Sequence, residues 1–300
     1  MSYLSFAKAA RLPVGLTLRL NKLIWRRLPS RMCNSYPVLS YGAWLHTLVC
    51  RRANREMYLG TFFLRNRPML NLIRRLCEEQ AEAATLRIAV LGCSIGAEVY
   101  SILWTIRSAR PDLKVVLHAV DISKEVLQFA EKGVYGPNAS PFLRSPMSIF
   151  ERLTEHEKRE IFDWNGDEAT VKSWLKEGII WKLGDVADPQ VTDAIGLQDI
   201  VVASNFLCHL APVDAGKCLH NIAHLIRPGG HIFVSGVDLN VRTKVALDLG
   251  WEPMSELIAD IHDGDPSVRA DWPFEWWGLE PLDQRRPDWQ IRYAAAFQVN

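Results

Sequence analysis

The chain has 300 residues, of which 48% are hydrophobic and 23% charged. This length allows one large domain with a smaller one, and the composition is typical of a folded globular protein. No run of eighteen apolar residues and no compact apolar leader occurs, so we expect neither a membrane span nor a secretory signal. The six cysteines follow no C-x-x-C or metal-ligand spacing, which predicts reduced thiols, no metal site and a cytoplasmic location.

The net charge of +1 hides an uneven distribution of charged residues. Residues 1–76 contain fourteen Lys or Arg and one acid, Glu56, whereas the rest of the chain contains 21 bases and 33 acids. A basic segment favours an acidic partner, which is either another molecule or the acidic part of the same chain. Apolar residues at helical spacing over 16–28 and 68–77 predict helices, so we expect residues 1–80 to form a basic helical domain.

Strand and helix patterns alternate from residue 81 to the end of the chain. The predicted strands cover residues 86–92, 114–121, 178–185, 199–206, 231–236, 251–254 and 291–299. This alternation predicts an α/β fold with a mostly parallel sheet of about seven strands covered by helices. Two inserts interrupt it, at 136–177 and 255–290. The second insert is rich in tryptophan, and we expect it either to cover the active site or to pack on a sheet edge.

A glycine-containing turn connects the first predicted strand to its helix. It reads Gly92-Cys-Ser94-Ile-Gly96-Ala-Glu98, and such a turn presents backbone N–H groups to a nucleotide. Ser94 occupies the second glycine position of the dinucleotide fingerprint, and Glu98 would repel a pyrophosphate, so a nicotinamide dehydrogenase is disfavoured. A carboxylate here attracts a cation instead, such as the α-ammonium of S-adenosylmethionine.

Polar residues also follow the later strands, where ligands of open parallel sheets bind. Asp121 ends the second strand, Asp185 follows the third, and Asn205 follows the core of the fourth. A carboxylate accepts two hydrogen bonds, so Asp121 suits a pair of ribose hydroxyls, and Asp185 suits the adenine amino group. Together with Glu98, this set predicts a site for S-adenosylmethionine.

Five motifs in this order resemble those of the CheR-type, or chemotaxis-receptor, methyltransferases, a branch of the Rossmann-like S-adenosylmethionine-dependent enzymes. Thr61–Arg65 looks like the family motif T-x-F-F-R, and Gly92–Ser101 looks like G-C-S-x-G-E-E-x-Y-S. Val120–Ser123 with Val126–Tyr135 looks like T/S-D-I-S followed by V-L-x-x-A-x-x-G-x-Y. Ser204–Leu210 looks like R-N-V-L-I-Y-F, and Pro228–Gly230 looks like P-G-G. The resemblance runs from Thr61 to Asp238.

The resemblance implies an S-adenosylmethionine cofactor and a methylated carboxylate on a protein, with the basic N-terminal domain facing acidic receptor helices. It implies that the methionine end is held by Thr61, Arg65 and Glu98. The other implied cofactor contacts are Gly92, Ser94, Gly96, Asp121, Ile122, Asp185, Val186, Asn205 and Phe206. Residues 163–185 look like an abbreviated form of the family's receptor-tethering β subdomain.

The chain departs from the family pattern at positions that bear on the acceptor. Ala97 stands where the family has one of two acids, and His209 stands where it has a tyrosine near the transferring methyl group. Two acceptors therefore remain open: a carboxylate steered by Arg65, or a small-molecule hydroxyl with His209 as the base. A non-catalytic cofactor-binding scaffold is a third possibility. Nucleic acid is disfavoured because Asn205-Phe-Leu-Cys lacks the proline-aromatic turn expected for base methylation.

Overall fold

The computed structural model describes residues 12–29, 32, 35–53, 55, 59–136 and 149–300. Contacts within the chain divide it into two compact units. The first comprises Met1–Asn54 and Pro266–Pro281, and the second comprises Arg55–Asp265 and Leu282–Asn300. The helix predicted over 68–77 falls within the second unit, whereas part of the tryptophan-rich insert falls within the first.

The described helices and strands are numbered here in chain order. The helices are α1 (Leu12–Trp25), α2 (Tyr36–Arg52), α3 (Arg67–Glu78), α4 (Ala97–Ala109), α5 (Lys124–Lys132), α6 (Glu155–Ile161), α7 (Ser173–Lys176), α8 (Pro189–Ile195), α9 (Pro212–Ala223), α10 (Leu239–Asp248), α11 (Ile258–His262), α12 (Pro266–Ala270) and α13 (Trp289–Tyr293). The strands are β1 (Thr85–Leu91), β2 (Lys114–Asp121), β3 (Val134–Tyr135), β4 (Phe162–Asn165), β5 (Glu168–Val171), β6 (Ile179–Leu183), β7 (Gln198–Ser204), β8 (Ile226–Ser235), β9 (Glu252–Pro253) and β10 (Ala296–Gln298). No described helix is long and apolar enough to cross a membrane.

The first unit packs the N-terminal helices against the tryptophan-rich segment. Trp25 of α1 contacts the Trp272 ring edge-on, with ring centroids 5.5 Å apart, and also contacts Phe274 at 6.1 Å. Gly42 of α2 lies so close to Trp272 that an added Cβ would come within 2.2 Å of that ring. Trp272 therefore packs on the N-terminal helices. The sequence predicts that the insert covers the active site or packs on a sheet edge, and neither alternative includes this packing.

The second unit contains a seven-stranded sheet with the order β6-β2-β1-β7-β8-β10-β9. The pairings from β6 to β8 are parallel, and β10 runs antiparallel to both of its neighbours. The predicted α/β fold with a mostly parallel sheet of about seven strands is therefore confirmed. In β1, the residues from Ile88 to Leu91 are fully buried because helices cover both faces of the sheet.

Two boundaries predicted in the C-terminal part are wrong. The sequence pattern predicts a helix over 215–226 and a turn at 227–230. The helix ends at Ala223 instead, and residues 226–230 already belong to β8, where an irregularity of the β7–β8 register accommodates them. Residues 291–293, expected to begin the last strand, form the end of α13. Arg292 gives the reason for this second difference. A strand would leave its side chain exposed, whereas in α13 the side chain is buried and donates a hydrogen bond to Asn240 Oδ1 at 2.8 Å.

A small antiparallel sheet with the order β3-β5-β4 accounts for part of the first insert. Its core is aromatic: Phe63 contacts Tyr135, Phe150 and Phe162 at centroid distances of 5.3, 6.2 and 4.9 Å. The small sheet ends at Val171, and the residues that follow lead into β6 of the main sheet, so only part of the predicted subdomain at 163–185 is separate. Residues 137–148 of this insert lie outside the described part of the chain.

Replacing Phe63 with alanine tests this aromatic core. Phe63 is fully buried, so Phe63→Ala should lower the free energy of unfolding by about 3–5 kcal/mol through lost transfer energy and an unfilled cavity. The matched control is Leu197→Ala before β7, because Leu197 is 57% exposed and its loss should cost about 1 kcal/mol or less. Denaturant unfolding measures both, and equal effects of the two variants would contradict this account.

Candidate functional site

A cleft opens at the carboxyl ends of β1, β2, β6 and β7. It encloses about 1060 Å³, part of which is open to solvent, a size suited to a nucleoside-containing ligand. Twelve of the thirteen predicted site residues line it: Thr61, Arg65, Gly92, Ser94, Glu98, Asp121, Ile122, Asp185, Val186, Asn205, Phe206 and His209. Gly96 is the exception. It forms the N-cap of α4 with φ +85°, so it shapes the turn without facing the cleft.

The turn after β1 requires small residues where it approaches other chain segments. Gly92 has φ +64°, and an added Cβ would come within 2.8 Å of the Phe206 ring. Ser94 also has a positive φ of 49°, and its hydroxyl donates a hydrogen bond to the Leu59 carbonyl at 3.1 Å. The turn therefore brings the start of α4 to the cleft, where backbone N–H groups favour polar ligands.

Asp121, the last residue of β2, joins two of the turns around the cleft. Its Oδ2 accepts a hydrogen bond from the Ser94 N–H at 2.9 Å, and its Oδ1 accepts one from the Ser123 N–H at 3.0 Å. Burial raises the pKa of Asp121, and these backbone hydrogen bonds counteract that effect. Each carboxylate oxygen retains a second lone pair, so Asp121 is equipped to accept two further hydrogen bonds from a diol.

Glu98 in the first turn of α4 lines the cleft with its carboxylate largely removed from water. Burial raises the pKa of Glu98 to about 7, and the nearby Ser204 hydroxyl and the charge of Arg65 lower it from a still higher value. The Ser204 hydroxyl is buried, yet no hydrogen bond of ordinary geometry joins it to a described residue. Among the described residues, the site thus holds a carboxylate removed from water beside a hydroxyl group without a hydrogen bond of ordinary geometry, an arrangement that suits an ammonium ligand.

Arg65 is the one lysine or arginine among the described residues that line the cleft. Its Nε donates to Asp265 Oδ2 at 2.7 Å, and Arg152 Nη2 donates to the other oxygen of Asp265 at 2.7 Å. Both guanidinium groups lie over the Phe62 ring, at 5.2 and 4.1 Å from its centroid. Sequence reasoning missed Asp265 and Arg152, since both lie far from Arg65 along the chain and within no motif.

His209 ends a short 3₁₀ turn, Leu207–His209, beyond β7. Arg55 holds this turn on both sides of the histidine: its Nη1 donates to the carbonyls of Cys208 and Leu210 at 3.1 and 2.6 Å. Its Nη2 donates to Asp238 Oδ2 at 3.1 Å. Arg55 was not predicted as a site residue, because the carbonyl groups it binds leave no signal in a sequence.

The β6 side of the cleft carries Asp185 and Val186. Asp185 Oδ1 accepts a hydrogen bond from the Ala187 N–H at 2.9 Å, which orients the carboxylate. The Val186 carbonyl accepts one from Asn221 Nδ2 at 2.7 Å, which ties this loop to α9. Across the whole cleft, three acids and one arginine suit a ligand that carries a cation, a diol, an amino group and a carboxylate. S-adenosylmethionine has all four groups, so the residues present fit it.

A protein-family model matches the part of the chain that contains these residues. The family model "CheR methyltransferase, SAM binding domain" matches residues 60–244, which contain all thirteen predicted site residues. The chain belongs to the CheR methyltransferase family. The match covers the S-adenosylmethionine-binding domain of that family, and the predicted family resemblance is thereby confirmed.

The sequence identity between the chain and its relatives is low. It is 25% identical to a "Chemotaxis protein methyltransferase" of Vibrio parahaemolyticus over 251 residues, covering 77% of this chain and 86% of the relative. It is also 25% identical to a "Probable biofilm formation methyltransferase WspC" of Pseudomonas putida over 210 residues, covering 68% of this chain. The chain spans only 46% of that relative's length.

A solved structure of magnesium protoporphyrin IX methyltransferase from Synechocystis PCC 6803 with bound SAM is also similar. It has a TM-score of 0.35 and 14% identity to the chain, covering 62% of this chain and 69% of that one.

The raised pKa of Glu98 predicts a pH-dependent affinity for S-adenosylmethionine. Below pH 7 the carboxyl group is mostly protonated and neutral, so an ammonium loses its partner. Above pH 7 the group is ionised, and affinity should therefore rise about eightfold between pH 6 and pH 7.5. Titration calorimetry measures this change, and Glu98→Gln is the matched control, since it should bind more weakly with no such rise. Equal pH slopes for the two proteins would contradict the assignment.

Proposed function

We propose that the chain transfers a methyl group from S-adenosylmethionine to an oxygen acceptor, and that this acceptor is a carboxylate of the protein-glutamate kind. The position of Arg65 carries the proposal. Burial raises the pKa of Glu98 to about 7 and that of Cys208 to about 12, and the positive charge of Arg65 counteracts both effects. Arg65 therefore acts on the proposed methionine end and on the turn that contains His209. An anionic acceptor arriving at that turn would be attracted by the same guanidinium.

Each proposed cofactor contact follows from the chemistry of one side chain. Asp121 would accept hydrogen bonds from the ribose diol, and Asp185 from the adenine amino group. Glu98 would pair with the α-ammonium, and Arg65 with the methionine carboxylate. The bound cofactor would supply a sulfonium methyl group, which passes in line to the acceptor oxygen as the carbon–sulfur bond breaks and the neutral thioether leaves. The protein's part is to align the acceptor and exclude water, and an ionised carboxylate needs no base.

A second candidate acceptor is the hydroxyl group of a small molecule, and two observations favour it. His209 lines the cleft, where a neutral imidazole would take the proton of a hydroxyl during transfer. Arg65 is also the one arginine or lysine of the described cleft lining, and the cofactor carboxylate would engage it before a second carboxylate arrives. A non-catalytic scaffold would bind the cofactor but methylate no acceptor.

The proposed partner of the carboxylate reaction is an acidic protein segment in the cytoplasm. One relative is named as a chemotaxis protein methyltransferase, and residues 1–76 of this chain carry an excess of thirteen positive charges. An acidic segment complements this charge.

Replacing Asp121 tests the cofactor site. Asp121→Ala should weaken S-adenosylmethionine binding about 10- to 100-fold, because two hydrogen bonds to a carboxylate are lost. The control Asp163→Ala, on the exposed part of β4, should leave the affinity within about twofold. Calorimetry at one pH measures both variants. An Asp121→Ala protein that folds and binds as tightly as the parent would remove this residue from the site.

The class of acceptor is read from the chemistry of the methylated product. Extracts incubated with methyl-labelled S-adenosylmethionine and the protein should yield label that mild alkali releases as methanol, since a methyl ester hydrolyses and a methyl ether does not. Alkali-stable label would contradict the carboxylate proposal and support the hydroxyl. Cofactor binding without any labelled acceptor would support the scaffold.

His209 distinguishes the two reactions once the acceptor is in hand. With a carboxylate acceptor, His209→Phe should retain activity within about tenfold, the loss of one positioning contact. With a hydroxyl acceptor, the same variant should lose about 10²- to 10⁴-fold in the chemical step, because the base is lost. Single-turnover rates at saturating cofactor separate these outcomes, with cofactor affinity as the control.

A further inference from the structure

Helix α1 presents a continuous exposed face that mixes apolar and basic side chains. Leu20, Leu23 and Ile24 are 53%, 51% and 60% exposed. At about 100° per residue, an arc of about 160° contains all three together with three exposed arginines, of which two directly follow the helix. The residues of this face, here called the α1 face, are Arg19, Leu20, Leu23, Ile24, Arg26 and Arg27.

The opposite side of α1 is held within its own unit. Trp25 packs on Trp272 and Phe274, and Lys22 forms an ion pair with Glu275 at 2.8 Å. These contacts leave the α1 face exposed. The first unit contributes half of the sixteen large hydrophobic residues that are exposed in the described structure, although it contains fewer than a quarter of the residues. Such a concentration marks an interaction surface.

The charge around the α1 face is of one sign. The first 55 residues contain ten Lys or Arg and no acid. Among the described residues, none forms an ion pair with Arg19, Arg26 or Arg27, whereas nearby acids have other partners: Glu275 binds Lys22 and Asp271 accepts from Trp277. A partner of this face must therefore be anionic, and it must also cover exposed leucine and isoleucine side chains.

We propose that the α1 face binds the surface of an anionic phospholipid bilayer, with its apolar residues at the headgroup boundary and its arginines at the lipid phosphates. An apolar face with arginines among it is typical of a helix that lies in the membrane interface. Two exposed aromatic residues of α2 adjoin α1 beside this face: Tyr41 and Trp44 stack at 5.6 Å and are 44% and 51% exposed, and the Tyr41 hydroxyl donates a hydrogen bond to Asn21 Oδ1 of α1. Tyrosine and tryptophan favour this interface. The proposal does not depend on the proposed function.

Sedimentation of the full chain with lipid vesicles tests this proposal. The protein should bind vesicles of phosphatidylcholine containing about one third phosphatidylglycerol, and bind far less to phosphatidylcholine alone. Arg26→Gln with Arg27→Gln should weaken binding about thirtyfold, and Leu23→Gln with Ile24→Gln about tenfold. The matched control is Leu247→Gln on α10, a 62% exposed apolar residue of the second unit, which should change binding less than twofold. Circular dichroism and tryptophan fluorescence check that each variant is folded, since Trp25 and Trp272 lie in the same unit as the α1 face.

Three outcomes would overturn the proposal. The first is a lack of binding to anionic vesicles by a protein that still binds the cofactor. The second is equal binding to neutral and anionic vesicles, which would show unspecific adhesion. The third is a loss of binding in the arginine variant with none in the Leu23/Ile24 variant. If a polyglutamate peptide also competed in that last case, an acidic protein would be the partner instead.

Discussion

The carboxylate of Asp121 is the interaction on which the cleft depends. It accepts hydrogen bonds from the turn after β1, through the Ser94 N–H, and from the start of α5, through the Ser123 N–H. The backbone carbonyl of the same residue accepts one from Gly184, which follows β6. One residue thus joins the loops at the ends of three neighbouring strands. Removing it would release the loops that shape the cleft, and the backbone donors would be left in a partly buried site.

The carboxylate of Glu98 lies in the cleft at a cost in free energy that a cationic ligand would lower. A buried carboxylate without a cationic partner is unfavourable, and Glu98 responds with a pKa near 7. Arg65 lies within electrostatic range but directs its Nε to Asp265, which Arg152 also binds. The positive charge that Glu98 requires is therefore only partly supplied by the protein. A cationic ligand would complete the pairing, and the site would then select for charge as well as for shape.

The sequence predicted the centre of the fold better than its periphery. Strands β1 and β2 are apolar runs followed by a glycine turn or an acid, and the side chains at their ends fall where parallel strands place them. Arg55 and Asp265 were not predictable, because each acts through a contact between segments distant in the chain. Residues 291–293 were predicted as part of a strand because alternating apolar residues are typical of one. They belong to α13 instead, where the Arg292 side chain is buried, and burial of an arginine is not visible in a sequence. Trp272 could be recognised as a packing residue, but its partner Trp25 could not.

The hydroxyl group of Tyr135 links the small sheet to the cleft. It is buried and donates a hydrogen bond to the Ile95 carbonyl at 2.7 Å, inside the turn that follows β1. The small sheet and this turn are therefore connected by one buried hydrogen bond. By thermodynamic reciprocity, a molecule that bound the sheet and shifted Tyr135 would change the affinity of the cleft for its ligand by the same factor by which that ligand changes the affinity of the sheet. Binding at the sheet and binding in the cleft would then form one coupled equilibrium instead of two separate ones.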